Sequence, residues 1–161
     1  MSQLSRDRVR GALLAGAVGD ALGAPIEFAS LREIRARFGA EGLQEPAPAF
    51  GRLVTITDDT QMTLFTAEGL ILAASDPAFA GRSGMVRSVH RAYLRGLRTQ
   101  GERSDHPTFE RTHEGWLLGV GALHSDRAPG NTCLSALCDS RMGSTEQPLN
   151  DSKGCGGVMR I

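Results

Sequence analysis

The amino-acid sequence predicts an all-α protein, and three observations carry that expectation. Apolar residues recur at helical spacing through most of the 161 residues. Strand-like alternation is confined to one candidate, Arg52 to Ile56. A chain of this length normally makes one domain that buries about 70% of its unfolded surface, and no internal repeat, linker or second domain is visible.

Asp7 to Leu22 reads as a helix crowded with Gly11, Ala12, Ala15, Gly16, Ala17, Gly19 and Ala21. Glycine costs about 1 kcal/mol against alanine inside a helix, so the pattern predicts close backbone approach or a helix end passing near a ligand. Pro25 ends the helix and pushes Ala24 toward extended geometry. Glu27 therefore falls in or just after a tight turn, between Ile26 and Phe28. Leu31 to Phe38 makes a short charged helix, and Gly39 to Gly51, with Pro46 and Pro48, a loop.

Thr57 opens a helix reaching about Ala74, apolar on most sides and hence central, and Asp76-Pro77 terminates it. Gly84 to Thr99 is amphipathic: Met85, Val89, Tyr93 and Leu97 share one face, widened by Val86 and Leu94. Arg87, Arg91, Arg95 and Arg98 line the other as a solvated face. Gly101 to Phe109 is a polar loop, and Glu110 to Leu123, with the single Trp116, a core helix. Asn131-Thr132 caps a short helix through Asp139, and Ser140 to Gly157 is loop.

Hydrophobic residues make up 40% of the chain and charged residues 22%, with 18 basic and 18 acidic side chains. That balance leaves no global field for nucleic acid or an anionic membrane. Lys153 is the only lysine. The first eight residues contain no apolar signal-peptide core, and the longest apolar run, Leu70 to Ala74, is too short to span a bilayer. Cys133, Cys138 and Cys155 show neither CxxC nor zinc spacing, which fits reduced thiols in a cytoplasmic protein. Cys133 and Cys138 read as small core residues.

Thr57-Asp58-Asp59-Thr60 is the most informative stretch, because two carboxylates run directly into the apolar segment Met62 to Ala67. On these residues alone, an N-cap with an acidic first turn is the simpler reading. A hard-cation site is the other, since carboxylate and hydroxyl oxygens suit Mg²⁺, Mn²⁺ or Ca²⁺.

Three fragments, taken in order, extend that reading: Gly19-Asp20-Ala21-Leu22-Gly23 through Glu27, the Thr57 to Met62 run, and Lys153-Gly154-Cys155-Gly156-Gly157-Val158-Met159-Arg160. Together with Arg127 to Thr132, they resemble the ADP-ribosylglycohydrolase family, which includes the enzyme that reactivates dinitrogenase reductase. The resemblance implies a compact all-α multi-helix bundle. It implies removal of ADP-ribose from a modified protein or a related small molecule, with two divalent cations, Mg²⁺ or Mn²⁺. By that resemblance Thr57, Asp58 and Asp59 are metal ligands, and Glu27, Asp58 and Asp59 are catalytic. Gly154, Cys155, Gly156, Gly157 and Asn131 are substrate-binding, with the glycine backbone approaching the diphosphate or distal ribose. Asp20 reads as a local cap or salt-bridge partner; the resemblance places it near the site, and it is assigned no chemical step.

The family is longer than this chain. The resemblance implies that residues 1–161 are the N-terminal portion of a single domain, incomplete at the C-terminus. The Asp-x-Asp-Thr run that supplies the remaining ligands is absent, which implies half a site and exposed apolar surface favouring association with a C-terminal portion or a partner. Ala128-Pro129 stands where arginine-specific relatives carry an acid before Gly-Asn-Thr, so the linkage stays open among arginine, serine, a nucleic-acid end and a free metabolite. Two rival readings are a non-catalytic binder of ADP-ribosylated ligands or of a protein, and a helical interaction module using the arginine face.

Overall fold

A computed structural model describes residues 3–157, so Val158, Met159 and Arg160 of the glycine-rich run lie outside the described residues. The described residues are all-α apart from one two-residue hairpin, and they divide into two compact units, Met1–Thr60 and Gln61–Ile161.

In the first unit, α1 (Gln3–Gly23) runs unbroken through its glycines. The expected close approach is not what they serve here: a Cβ at Gly11, Gly16, Gly19 or Gly23 meets nothing of this unit within 4 Å. Val9, Leu14 and Val18 are at least half exposed. Ser5–Ile26, 22 residues, is long and apolar enough to cross a membrane by length and composition alone. Its apolar residues form no long unbroken run because Gly11, Gly16 and Gly19 separate them and charges cluster at Arg6, Asp7, Arg8 and Arg10.

A 3₁₀ turn at Ala24–Ile26, with Pro25 in its first positions, leads to Glu27. The next helix, α2 (Leu31–Phe38), has the predicted bounds. Ser30 Oγ accepts the Glu33 N–H at 3.3 Å while Glu33 Oε2 accepts the Ser30 N–H at 2.7 Å. This reciprocal cap is typically worth ~1 kcal/mol. The strand candidate shrinks to β2 (Arg52–Leu53), paired antiparallel with β1 (Pro48–Ala49). Phe50 and Gly51 between them both have positive φ, +50° and +75°, as a two-residue hairpin of the mirror-image turn type requires.

The helix α3 (Asp58–Ser75) starts in the first unit and continues into the second, which also contains α4 (Gly81–Thr99) and α5 (Asn131–Cys138). The backbones of α3 and α4 approach so closely that a Cβ at Gly69 would lie 2.7 Å from the Val89 Cα. Ser88 Oγ donates to the Gly69 carbonyl there at 2.7 Å. Phe65, Ala92, Leu117 and Leu123 form one buried cluster, and Leu94, Leu97, Phe109 and Leu137 another. Cys138 packs against the second cluster, as expected of a small core residue, and Cys133 is half-buried. The apolar character of α3 is only partly used, because Leu70 and Ile71 are exposed. Leu70 joins Met85, Val86, Tyr93, Leu137 and Leu149 around an open apolar groove of about 580 Å³.

Two sequence expectations fail here for one reason. The arginine row of α4 is a solvated face only at Arg87, which is exposed: Arg95 is wholly buried, and its Nε and Nη2 donate to Glu68 Oε2 at 3.0 and 2.7 Å. Arg91 pairs with Glu114, and the Arg98 guanidinium stacks over the Phe109 ring at 4.1 Å. Glu110 to Leu123 is not a helix but three 3₁₀ turns, Phe109–Arg111, Leu117–Gly119 and Gly121–Leu123, with Trp116 exposed. The N–H groups of Trp116 and Leu117, which a helix would have turned onto its own carbonyls, donate instead to Glu68 Oε1 at 2.7 and 2.8 Å. Gly115 makes this turn at φ +93°, and a Cβ there would sit 2.5 Å from Glu68 Oε1.

His90 of α4 has its ring 4.8 Å from that of His106. Burial, and then the His106 charge, push its pKa from 6.5 down to about 4. The folded state thus keeps His90 neutral where the unfolded chain would bind a proton. Stability from this group is whole above pH 6.5, declines as pH falls toward 4, and loses nothing more below that. Relative to His90→Gln, the chain is expected to lose on the order of 1–2 kcal/mol between pH 7.5 and pH 4, after allowance for solvent screening. Paired urea titrations measure it, and a difference independent of pH would refute it.

Candidate functional site

The acidic pair sits where α3 begins, and the chain reaches that point through a cap more elaborate than the four residues suggest. Thr57 precedes the helix, and its hydroxyl accepts the Asp59 N–H at 3.2 Å. The same hydroxyl donates to Asp20 Oδ1 at 2.7 Å. Asp20 Oδ2 accepts the N–H groups of Thr57 and Thr60 at 2.8 and 3.2 Å, and the Thr60 hydroxyl as well. One carboxylate from the last turn of α1 therefore takes four donors from the start of α3.

Asp20 is the residue that sequence reasoning undervalued. A carboxylate in the last turn of a helix faces the negative end of the macrodipole. That unfavourable placement demands a compensating partner, and the unpaired N–H groups opening another helix provide one.

Thr57 and Asp58 are buried, at 2% and 8% exposure, and Asp59 is half-buried. Glu27 as a whole residue is exposed, yet its carboxyl holds its proton more tightly than usual. Partial desolvation of the group is the largest cause, followed by the charges of Asp58, Asp59 and Asp20. Glu27 thus feels the charges of Asp58, Asp59 and Asp20 within the first unit.

The donor set suits a hard cation in kind: two carboxylates, a hydroxyl whose proton is already committed, and a third carboxyl that feels their charge. It is short in number. Among the described residues, no three His, Cys, Asp or Glu side chains converge closely enough to hold a metal ion by themselves.

The other sequence-predicted residues lie in the second unit. Asn131 opens α5, but the N-cap is Gly130 and no side chain caps that helix, so the expected Asn131-Thr132 cap is absent. Ala128, before Pro129, has φ +61°, and its N–H bonds to Asp126 Oδ1 at 3.2 Å. The glycine-rich run packs on the start of α5. Thr132 Oγ1 pairs with Ser152 Oγ, and Asn150 Nδ2 donates to the Thr132 carbonyl at 3.2 Å. A Cβ on Gly154 would lie 2.5 Å from Thr132 Oγ1, and one on Gly156 3.0 Å from Cys133 Sγ. Close packing on α5 is therefore sufficient reason for glycine at both positions. Cys155 is exposed and begins a 3₁₀ turn that ends at Gly157.

The family model for ADP-ribosylglycohydrolases matches residues 1–161, the whole chain. The chain belongs to this family. No curated protein and no solved structure gives a match. As an ADP-ribosylglycohydrolase relative it is tied to hydrolysis of ADP-ribosyl linkages and to ADP-ribosylated substrates in general, within a family that is generally metal-dependent.

Proposed function

We propose that this chain carries the acidic half of a metal-dependent ADP-ribosyl hydrolase. In this reading Thr57, Asp58 and Asp59 hold a divalent cation, Mg²⁺ or Mn²⁺, and Glu27 does acid/base work. The observation that carries the reading is the Asp20–Thr57–Thr60 clamp. It fixes the start of α3 so that Thr57, Asp58 and Asp59 occupy one short arc of backbone, with the Glu27 carboxyl inside their field.

Cleaving the bond at the anomeric carbon of ribose builds positive charge on the sugar and negative charge on the leaving group. The bound cations would supply electrophilic polarisation of the ribose hydroxyls and of water. Glu27, with its raised proton affinity, can give or take a proton nearer neutrality than an ordinary carboxylate. By the family resemblance alone, Gly154, Cys155, Gly156 and Gly157, with Asn131, are assigned to substrate binding in the second unit. Two carboxylates and a hydroxyl cannot fill two near-octahedral sites, so full activity is expected to need further donors beyond those of residues 3–157.

ADP-ribose binding by calorimetry with and without Mn²⁺, run beside release assays on arginine-linked and serine-linked ADP-ribosyl peptides, tests the reading. Metal-dependent binding is expected, and Glu27→Gln is expected to keep it while lowering any release by about 100-fold or more. Binding that ignores both Mn²⁺ and the aspartates would favour a non-catalytic ADP-ribose binder. No binding under any condition would reject the reading.

A further inference from the structure

We propose that Asp20 is a positioning residue that makes the Thr57 hydroxyl an obligate acceptor, leaving one of its lone pairs for a divalent cation. The proposal rests on the reading of Thr57, Asp58 and Asp59 as cation ligands, and adds a residue to which that reading gave no role.

A threonine hydroxyl has one proton and two lone pairs. The Thr57 proton goes to Asp20 Oδ1 at 2.7 Å, and one lone pair receives the Asp59 N–H at 3.2 Å. Both directional assignments are taken, so the second lone pair is what this oxygen still has to offer. With Thr57 2% exposed, bulk water does not compete freely for its hydroxyl. Without Asp20 the proton could swing toward an incoming cation and repel it. Asp20 cannot easily turn away, because its other oxygen is held by the Thr57 and Thr60 N–H groups and by the Thr60 hydroxyl. Outer partners that fix a ligand's protonation and orientation in this way typically govern affinity by about 10–100-fold.

Asp20→Asn separates this role from that of a cap. The amide oxygen can replace Oδ2 and keep the three donors of α3. The amide NH₂ then faces Thr57 Oγ1 and donates to it, occupying the lone pair meant for the cation. Mn²⁺ binding to the full chain, measured by electron paramagnetic resonance, is expected to weaken about 10–100-fold in Asp20→Asn, while the metal-free melting curve stays near that of the parent. Thr57→Val, with the same shape and no oxygen, should lose Mn²⁺ comparably, and the double variant should lose no more than Thr57→Val alone. Should Asp20→Asn fail to fold, the comparison of Thr57→Ser with Thr57→Val decides: the serine variant retains Mn²⁺ and the valine variant does not. Mn²⁺ affinity in Asp20→Asn within about twofold of the parent overturns the proposal and leaves the cation reading standing, whereas parent-like binding in Thr57→Val overturns the proposal and also removes Thr57 from the ligands, leaving Asp58 and Asp59 alone. A parent chain that binds no Mn²⁺ overturns both.

Discussion

Arg95→Met is expected to lower the unfolding free energy by about 3–5 kcal/mol, the cost of removing one partner from a buried ion pair. Glu68 and Arg95 are both 0% exposed at the side chain, and the Glu68 carboxylate takes four donors: Arg95 Nε and Nη2, and the N–H groups of Trp116 and Leu117. Methionine fills much of the arginine volume, so cavity formation contributes little. What remains is a carboxylate stranded in an apolar interior with two of its four donors gone. A shift in melting temperature on the order of 10 °C should accompany the loss.

Adding Glu68→Gln to Arg95→Met should restore part of it, because a carboxamide oxygen still accepts from Trp116 and Leu117 while carrying no charge. Urea titration of the two variants provides the measurement. A single-variant loss below about 1 kcal/mol, or a double variant no better than the single, would show that the pair is not the keystone of the second unit.

That pair also marks where the sequence was legible and where it was not. The bounds of α2 were legible to the residue, and its reciprocal cap between Ser30 and Glu33, three apart, is a further local signal on which those bounds did not rest. Short-range rules found the start of α3 and the end of α4 at Thr99, although α4 begins at Gly81, three residues before the expected Gly84. The stretch from Glu110 to Leu123 was misread as helix because its conformation is dictated from 48 residues away, by a Glu68 carboxylate whose position cannot be guessed from spacing. Arg95 was misread with it: an arginine at helical spacing with three others looks solvated until a buried acid is known to face it.

The candidate site divides the same way. The Thr57–Asp58–Asp59 run stands out as a local anomaly of charge against apolar sequence. The Asp20 clamp joins residues 37 and 40 positions apart, and only its awkward placement at the end of a helix hints at a distant partner.

For the acidic pair itself, a cap and a metal site make opposite predictions about the same variant. As the first two residues of α3, Asp58 and Asp59 favour the helix dipole by about 0.3–1 kcal/mol each. Against that stand their mutual repulsion and the charge they impose on Glu27. In the metal-free Asp58→Asn, Asp59→Asn variant Thr57 still caps the helix, so the decisive comparison is the response of each chain to metal and not its metal-free melt.

Mn²⁺ breaks the tie. At about a hundredfold excess over its Kd, a ligand that binds only the folded state adds about 2.7 kcal/mol, a rise in melting temperature on the order of 5–10 °C for a chain of this size. The parent is expected to show that rise and the double variant none, in melts with and without the metal chelated. A rise of equal size in both would place the cation elsewhere on the chain. If neither responds, the aspartates are an acidic first turn, held by Asp20 for the sake of the helix alone.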